Sequence, residues 1–219
     1  MWCIQQITPQ YRERMYRLLD LYKEPYDPYH PVVCMDEKSK QLLEDSREPI
    51  AAKPGSLERY DYEYKRKGTS NIFVAVNPKE GKRFIKVTDT RTKADFANFI
   101  KDLVEVHYSK VGYIQIVLDN LNTHFEGSLI ETFGKREAAK ILKKVRFIYT
   151  PKHASWLNMA EIEINIMDRQ CTGGRIPNRE KLKKEVVKWA KQRNKNKSTI
   201  DWKFTRQDAD KKLSKHYVS

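Results

Sequence analysis

Two apolar runs in this chain each end in an aspartate. Val32-Val33-Cys34-Met35 leads into Asp36, and Tyr113 to Leu118 leads into Asp119. Each run has the length and composition of a buried strand, so each acid is expected at a strand's C-terminal end. If the strands are neighbours, the two carboxylates meet at one sheet edge. Clustered carboxylates suit hard divalent cations. Two such ions roughly 3.5–4 Å apart activate a nucleophile and stabilise the leaving oxygen in phosphodiester hydrolysis or transfer. The plainer alternative is that each acid merely ends a strand or opens a turn.

A third acid is expected from residues 155–170. Leu157, Ala160, Ile164 and Met167 recur at three- and four-residue steps, which predicts a helix, with Asn158, Glu161, Asn165 and Asp168 as the adjoining polar stripe. Reading Ile162, Ile164 and Ile166 as a strand face explains fewer positions. Glu161 and Glu163 lie roughly 200° apart around such a helix, so only one can face a metal pair, and geometry alone leaves open which. Of the remaining polar groups, His124 is expected to make a structural hydrogen bond rather than ligate. Glu37 is expected to point away from Asp36 and to be structural.

The elements that must position these acids follow in order. Residues 10–23 read as an amphipathic helix ended by Pro25, Pro28 and Pro31, and residues 39–69 as a long polar loop with one strand at most. Asn71–Val76 and Arg83–Val87 read as strands joined through Asn77-Pro78-Lys79-Glu80-Gly81, with Gly81 available for a positive φ. Thr92 and Asp95 predict a capped helix to about residue 108. After the strand ending at Asp119, residues 126–143 read as a helix and 145–149 as a strand. The order β-β-β-α-β-α-β-α predicts an α/β fold with a mixed sheet. Beyond Gly173-Gly174, Glu180–Arg193 is expected to be helical, Lys191–Ser198 a charged connector and Asp208–Tyr217 a last helix.

Composition narrows the partners. With 43 Lys+Arg against 29 Asp+Glu the net charge is +14, which favours a polyanion, nucleic acid first. From Cys171 to Ser219 there are 15 Lys+Arg and 5 Asp+Glu, so this segment carries +10 of the total. Lys191, Arg193, Lys195 and Lys197 are its candidate backbone contacts, and Lys152 and His153 are placed to hold DNA near the acids. Tyr60, Tyr62 and Tyr64 beside Lys65, Arg66 and Lys67 suit either base stacking or, as the preferred reading, one strand face packed on the core. Trp156 and Trp202 are expected as core anchors. No run approaches the ~18 apolar residues of a membrane span. Three scattered cysteines and an N-terminus without a signal-peptide pattern are in keeping with a cytoplasmic protein.

The chain resembles the bacterial mariner-related transposases of the insertion-sequence 630 group over nearly its whole length. The residues that carry the resemblance are Trp2-Cys3-Ile4, Val33-Cys34-Met35-Asp36-Glu37, Arg59-Tyr60-Asp61-Tyr62-Glu63-Tyr64, Asp119-Asn120-Leu121-Asn122-Thr123-His124, and Tyr149-Thr150-Pro151-Lys152-His153 continuing through Ser155-Trp156-Leu157-Asn158 to Glu161. The resemblance implies a ribonuclease-H-like fold over residues 32–170, preceded by a helix and linker (1–31) and followed by a basic helical extension (171–219). It also implies a metal site of Asp36, Asp119 and Glu161 holding two Mg²⁺, with Mn²⁺ as a substitute. DNA partners, a homodimer and a nucleoid-associated location follow from the same source. Only 35 residues precede Asp36. They are too few for the helix-turn-helix modules such proteins carry, so general rather than end-specific DNA binding is expected. The competing readings are a ribonuclease-H-like nuclease without strand transfer and an inactive DNA-binding remnant.

Overall fold

A computed structural model describes residues 6–121 and 123–218; the Trp2-Cys3-Ile4 motif and Asn122 lie outside the described residues. Thr8 caps the first helix, α1 (Pro9–Lys23), by accepting from the Tyr11 amide, and Pro9 sits in the first turn, where its missing N–H costs nothing. Five strands follow: β1 (Val32–Asp45), β2 (Tyr64–Asn77), β3 (Lys82–Thr88), β4 (Ile114–Leu118) and β5 (Val145–Tyr149). They form one mixed sheet in the order β3-β2-β1-β4-β5, antiparallel from β3 to β1 and parallel from β1 to β5.

Strand alternation divides the core between two faces. Val33, Met35, Phe73, Ala75, Ile116 and Leu118 pack against α2 (Lys93–Asp102) and α3 (Glu126–Lys143). The predicted Thr92–Asp95 capping box begins α2. On the other face Cys34, Val76, Val117 and Ile148 meet α1 and the start of α4 (Met159–Met167), while Ile72 and Val74 meet the rest of α4 and α5 (Arg179–Lys195). The last helix, α6 (Arg206–Leu213), places Ala209 in the α1 side of that core. The observed order of strands and helices from β1 to α4 is the one the sequence predicts.

Several expectations need correction. Asp36 does not end its strand: β1 continues to Asp45, pairing with β2 through a bulge at Gln41/Leu43, so only residues 46–63 connect the two strands. The predicted helix at 155–170 is broken into a 3-10 turn (Ser155–Leu157), α4 and a π turn (Asp168–Thr172). Lys191 to Lys195 belong to α5 rather than to a connector. Tyr60, Tyr62 and Tyr64 are exposed instead of core-facing, and Arg175 lies over the rings of Tyr60 and Tyr64. Trp156 is also exposed, touching Phe204 edge-on, whereas Trp202 packs on Tyr22 inside the α1 layer.

The β2–β3 turn shows how α5 is held to the sheet. Gly81 adopts φ 71°, as predicted for this loop, and a Cβ there would stand 2.5 Å from the Lys197 carbonyl carbon. Only glycine permits that approach of backbone to backbone.

Candidate metal centre

In the parallel register of β1 and β4, Cys34 faces Val117, the last pair of that ladder. Asp36 and Asp119 therefore each lie two residues beyond it, where the two strands part. Alternation puts Asp36 on the Cys34 side of the sheet, toward α4, and Glu37 on the opposite side. The same face of β1 continues with Lys38, which bonds Asp168 at 2.6 Å, and Lys40, which donates to the carbonyls of Thr172 and Gly174. These contacts lay the end of α4 and its π turn along the strand.

The start of α4 is fixed by Asn158, which is fully buried. Its Oδ1 caps the helix by accepting from the Ala160 amide at 3.1 Å, and its Nδ2 donates to the Met35 carbonyl at 2.8 Å. One side chain thus ties the helix N-terminus to the residue before Asp36 and sets Glu161 in the first turn. The sequence shows a Leu-Asn-x-x-Glu pattern but not this bond, because its acceptor lies 123 residues away. Asn158→Ala is expected to cost about 1–2 kcal/mol, from the lost cap and the lost donor to Met35. Asn158→Asp keeps the cap but sets a buried carboxylate against the Met35 carbonyl, and should cost more than Asn158→Ala. Denaturant titration of the three proteins checks the order.

Asp36 is largely buried, and its carboxyl is pushed up to about 7. Burial is the main cause; the Glu37 amide opposes it from 2.8 Å, and the charges of Asp119, Glu37 and Glu161 raise it further. Such crowding of acids is what a bound cation would relieve. Among the described residues no three His, Cys, Asp or Glu side chains are gathered closely enough to ligate one ion. Asp36, Asp119 and Glu161, the three acids named by the resemblance, offer only carboxylate oxygen, the donor type that suits Mg²⁺ or Mn²⁺.

Glu163 is elsewhere engaged. Its buried carboxylate takes Arg83 Nε at 2.8 Å and Arg193 Nε at 2.7 Å, with a second bond to each guanidinium at 3.2 Å. It therefore partners basic groups. Arg193 is accordingly removed from the surface cations: its charge is spent on Glu163 and its guanidinium lies against Trp189. Lys152, His153, Lys191, Lys195 and Lys197 are exposed.

On the far side of the sheet His124 is buried, stacked on Phe96 at 4.9 Å. Nδ1 lies 2.8 Å from Asp119 Oδ1 and Nε2 lies 3.0 Å from Glu37 Oε2, the second contact off the line of a good hydrogen bond. Burial alone would lower the imidazole pKa, but the two carboxylates outweigh it and raise it to about 9. Sequence reasoning found the hydrogen-bonding role of His124 but missed Glu37 as its partner. It also missed Arg14 and Lys93, which line an open cleft of about 670 Å³ beside Asn120, Leu121, Phe125 and Tyr149. No spacing rule connects residues so far apart in the chain.

A five-stranded mixed sheet with β1 at its centre, helices on both faces and acids at the parting of β1 and β4 is a ribonuclease-H-like α/β arrangement. The chain belongs to the DDE superfamily endonucleases, whose family model matches residues 31–183. Its fold is similar to that of the Mos1 strand transfer complex, with a TM-score of 0.62 and 14% identity over 99% of this chain and 63% of that one. The Mos1 mariner paired end complex with Mn gives 0.58 and 16%, covering 90% of this chain and 60% of that one. The corresponding complex with Mg gives 0.58 and 16%, covering 100% and 66%. This chain thus spans about 60% of the length of the Mos1 chain in the Mn complex. No curated protein matches it.

Proposed function

We propose that this chain is the catalytic domain of a DNA transposase of the bacterial insertion-sequence 630 group, cutting DNA and joining a 3′ hydroxyl to target DNA. The observation that carries this reading is the β1–β4 register, after which Asp36 and Asp119 each stand two residues past the last pair, with the charges of Asp119 and of Glu161 in the first turn of α4 both acting on the buried Asp36, in a DDE endonuclease domain. Asp36, Asp119 and Glu161 would hold two divalent ions. When bound, these supply charge for activating water or a 3′ hydroxyl and for stabilising the leaving oxygen. Residues 32–170 carry that site, preceded by the N-terminal helix and linker (1–31) and followed by the basic helical extension (171–219).

The protein's own part is positional. Asn158 fixes Glu161 over the parting strands, Glu163 anchors α4 through Arg83 and Arg193, and the exposed Lys152, His153, Lys191, Lys195 and Lys197 offer contacts to DNA phosphates. A homodimer acting on two ends in the bacterial cytoplasm accords with this reading. Among the described residues no helix is long and apolar enough to cross a membrane.

The deciding experiment supplies precut ends and target DNA with Mg²⁺. Joined products are expected, whereas cleavage without joining would favour a hydrolytic nuclease, and neither would favour a DNA-binding remnant. Binding is expected to show little sequence preference and to fall steeply with salt. Replacing Lys191, Lys195 or Lys197 with Ala should each reduce the salt slope by about 1. Titrations with matched and scrambled ends test this, and a matched preference above about tenfold, roughly 1.4 kcal/mol, would refute it.

A further inference from the structure

We propose that Glu37 and His124 form a positioning pair that presents Asp119 to the metal site, with His124 holding one carboxylate oxygen so that the other is left to a cation. This rests on the carboxylate site of the proposed function and extends it to residues outside the ligand set.

Asp119 follows β4 directly, in a loop, so strand pairing does not fix its side chain. Two donors do so instead. His124 Nδ1 lies 2.8 Å from Oδ1, and the Leu121 amide donates to the same oxygen at 3.3 Å. Among the described groups Oδ2 receives no such bond. The ring of His124 is in turn held on its other sides: Glu37 Oε2 stands 3.0 Å from Nε2, and Phe96 stacks on its face. The side chains of His124 and Glu37 are only 1% and 2% exposed, an enclosure that leaves the imidazole little room to rotate.

Glu37 is also the chain neighbour of Asp36. A single covalent step on β1 therefore joins one proposed ligand to the group that orients another from the opposite face of the sheet. Arg91, 3.7 Å from Glu37 Oε1, adds an exposed cation to that side. Residues that orient metal ligands commonly change metal affinity by about 10–100-fold when removed, although they never touch the ion.

The test is Mn²⁺ affinity, read from the free-ion electron paramagnetic resonance signal, with thermal melting recorded for each protein. Asp36→Ala establishes which binding belongs to the carboxylates. His124→Leu should weaken that binding at least tenfold. His124→Asn, whose amide nitrogen reaches Asp119 in place of Nδ1, should return it to within about threefold of wild type. Lys101→Ala, which breaks ion pairs with Glu137 and Glu105 and touches none of the proposed ligands, should leave it unchanged within the same range. If His124→Leu does not fold, Glu37→Ala against His124→Asn decides: the first should weaken Mn²⁺ binding several-fold and the second should not. Wild-type affinity in His124→Leu, or in Glu37→Ala where that comparison applies, overturns the pairing, as does an Asn variant no better than Leu. If Asp36→Ala itself leaves Mn²⁺ binding untouched, the carboxylate site falls and the pairing with it.

Discussion

Asp36→Ala and Asp119→Ala are expected to abolish divalent-metal-dependent cleavage and joining, and Glu161→Gln to lower cleavage at least hundredfold, about 2.7 kcal/mol of barrier. Glutamine keeps the size and hydrogen bonding of glutamate but removes the charge a divalent ion needs. DNA affinity should be intact or raised in the alanine variants. Burial and the charges of Asp119, Glu37 and Glu161 already push the Asp36 carboxyl up to about 7, so removing one acid relieves repulsion among them and toward phosphate. Glu163→Gln should leave cleavage far closer to wild type when assayed well below its melting temperature, because that carboxylate is turned to Arg83 and Arg193. Assays at several Mg²⁺ and Mn²⁺ concentrations check the order. Retained cleavage in either alanine variant, or a larger loss in Glu163→Gln than in Glu161→Gln, would remove the proposed site.

The acids were legible because their strands are. Val32–Met35 and Tyr113–Leu118 are short, apolar and ended by charge, and a local pattern of that kind survives into the fold. Helix 126–143 and strand 145–149 were legible for the same reason, although the break at Gly134, with φ 77° and ψ 162°, was not. The second half of β1 was missed because Lys38 to Asp45 has no apolar alternation: its polar side chains are satisfied by Asp168, Thr172, Asn71 and Arg175, none of them near in sequence. The tyrosines misled in the opposite way. Their alternation suggests a packed strand face, but β2 begins only at Tyr64, and Tyr60 and Tyr62 fall in the connection before it. The choice of Glu161 over Glu163 came from family resemblance. What periodicity could not supply was the pair of arginines, from 80 and 30 residues away, that gives Glu163 a different occupation.

That occupation sets the second large effect, which is on stability. Arg83 and Glu163 have fully buried side chains, and the guanidinium also donates to the carbonyls of Gly81 and Ser198 at 2.7 and 2.6 Å. Asn194 brackets the same residue, accepting from the Arg83 amide and donating to its carbonyl. The cluster therefore joins α4, β3 and α5 at one point, and its groups are satisfied only together. Glu163→Leu leaves a buried guanidinium without its carboxylate and should cost about 3–5 kcal/mol, the usual penalty for breaking a buried pair from one side. For a chain of this size that lowers the melting temperature by roughly 10 °C. Arg83→Met should cost a comparable amount by orphaning the carboxylate, moderated because Arg193 still faces it. Arg193→Ala should cost less, since its side chain is partly exposed and Arg83 remains. Replacing both Arg83 and Glu163 with apolar residues removes both desolvation penalties, so the double variant should be more stable than Glu163→Leu alone. Calorimetry or urea titration of the four proteins measures the coupling. Strictly additive losses would mean that the pair is not the joint between α4, β3 and α5, and that the helix carrying Glu161 is held by Asn158, by Lys38 and by its apolar contacts instead.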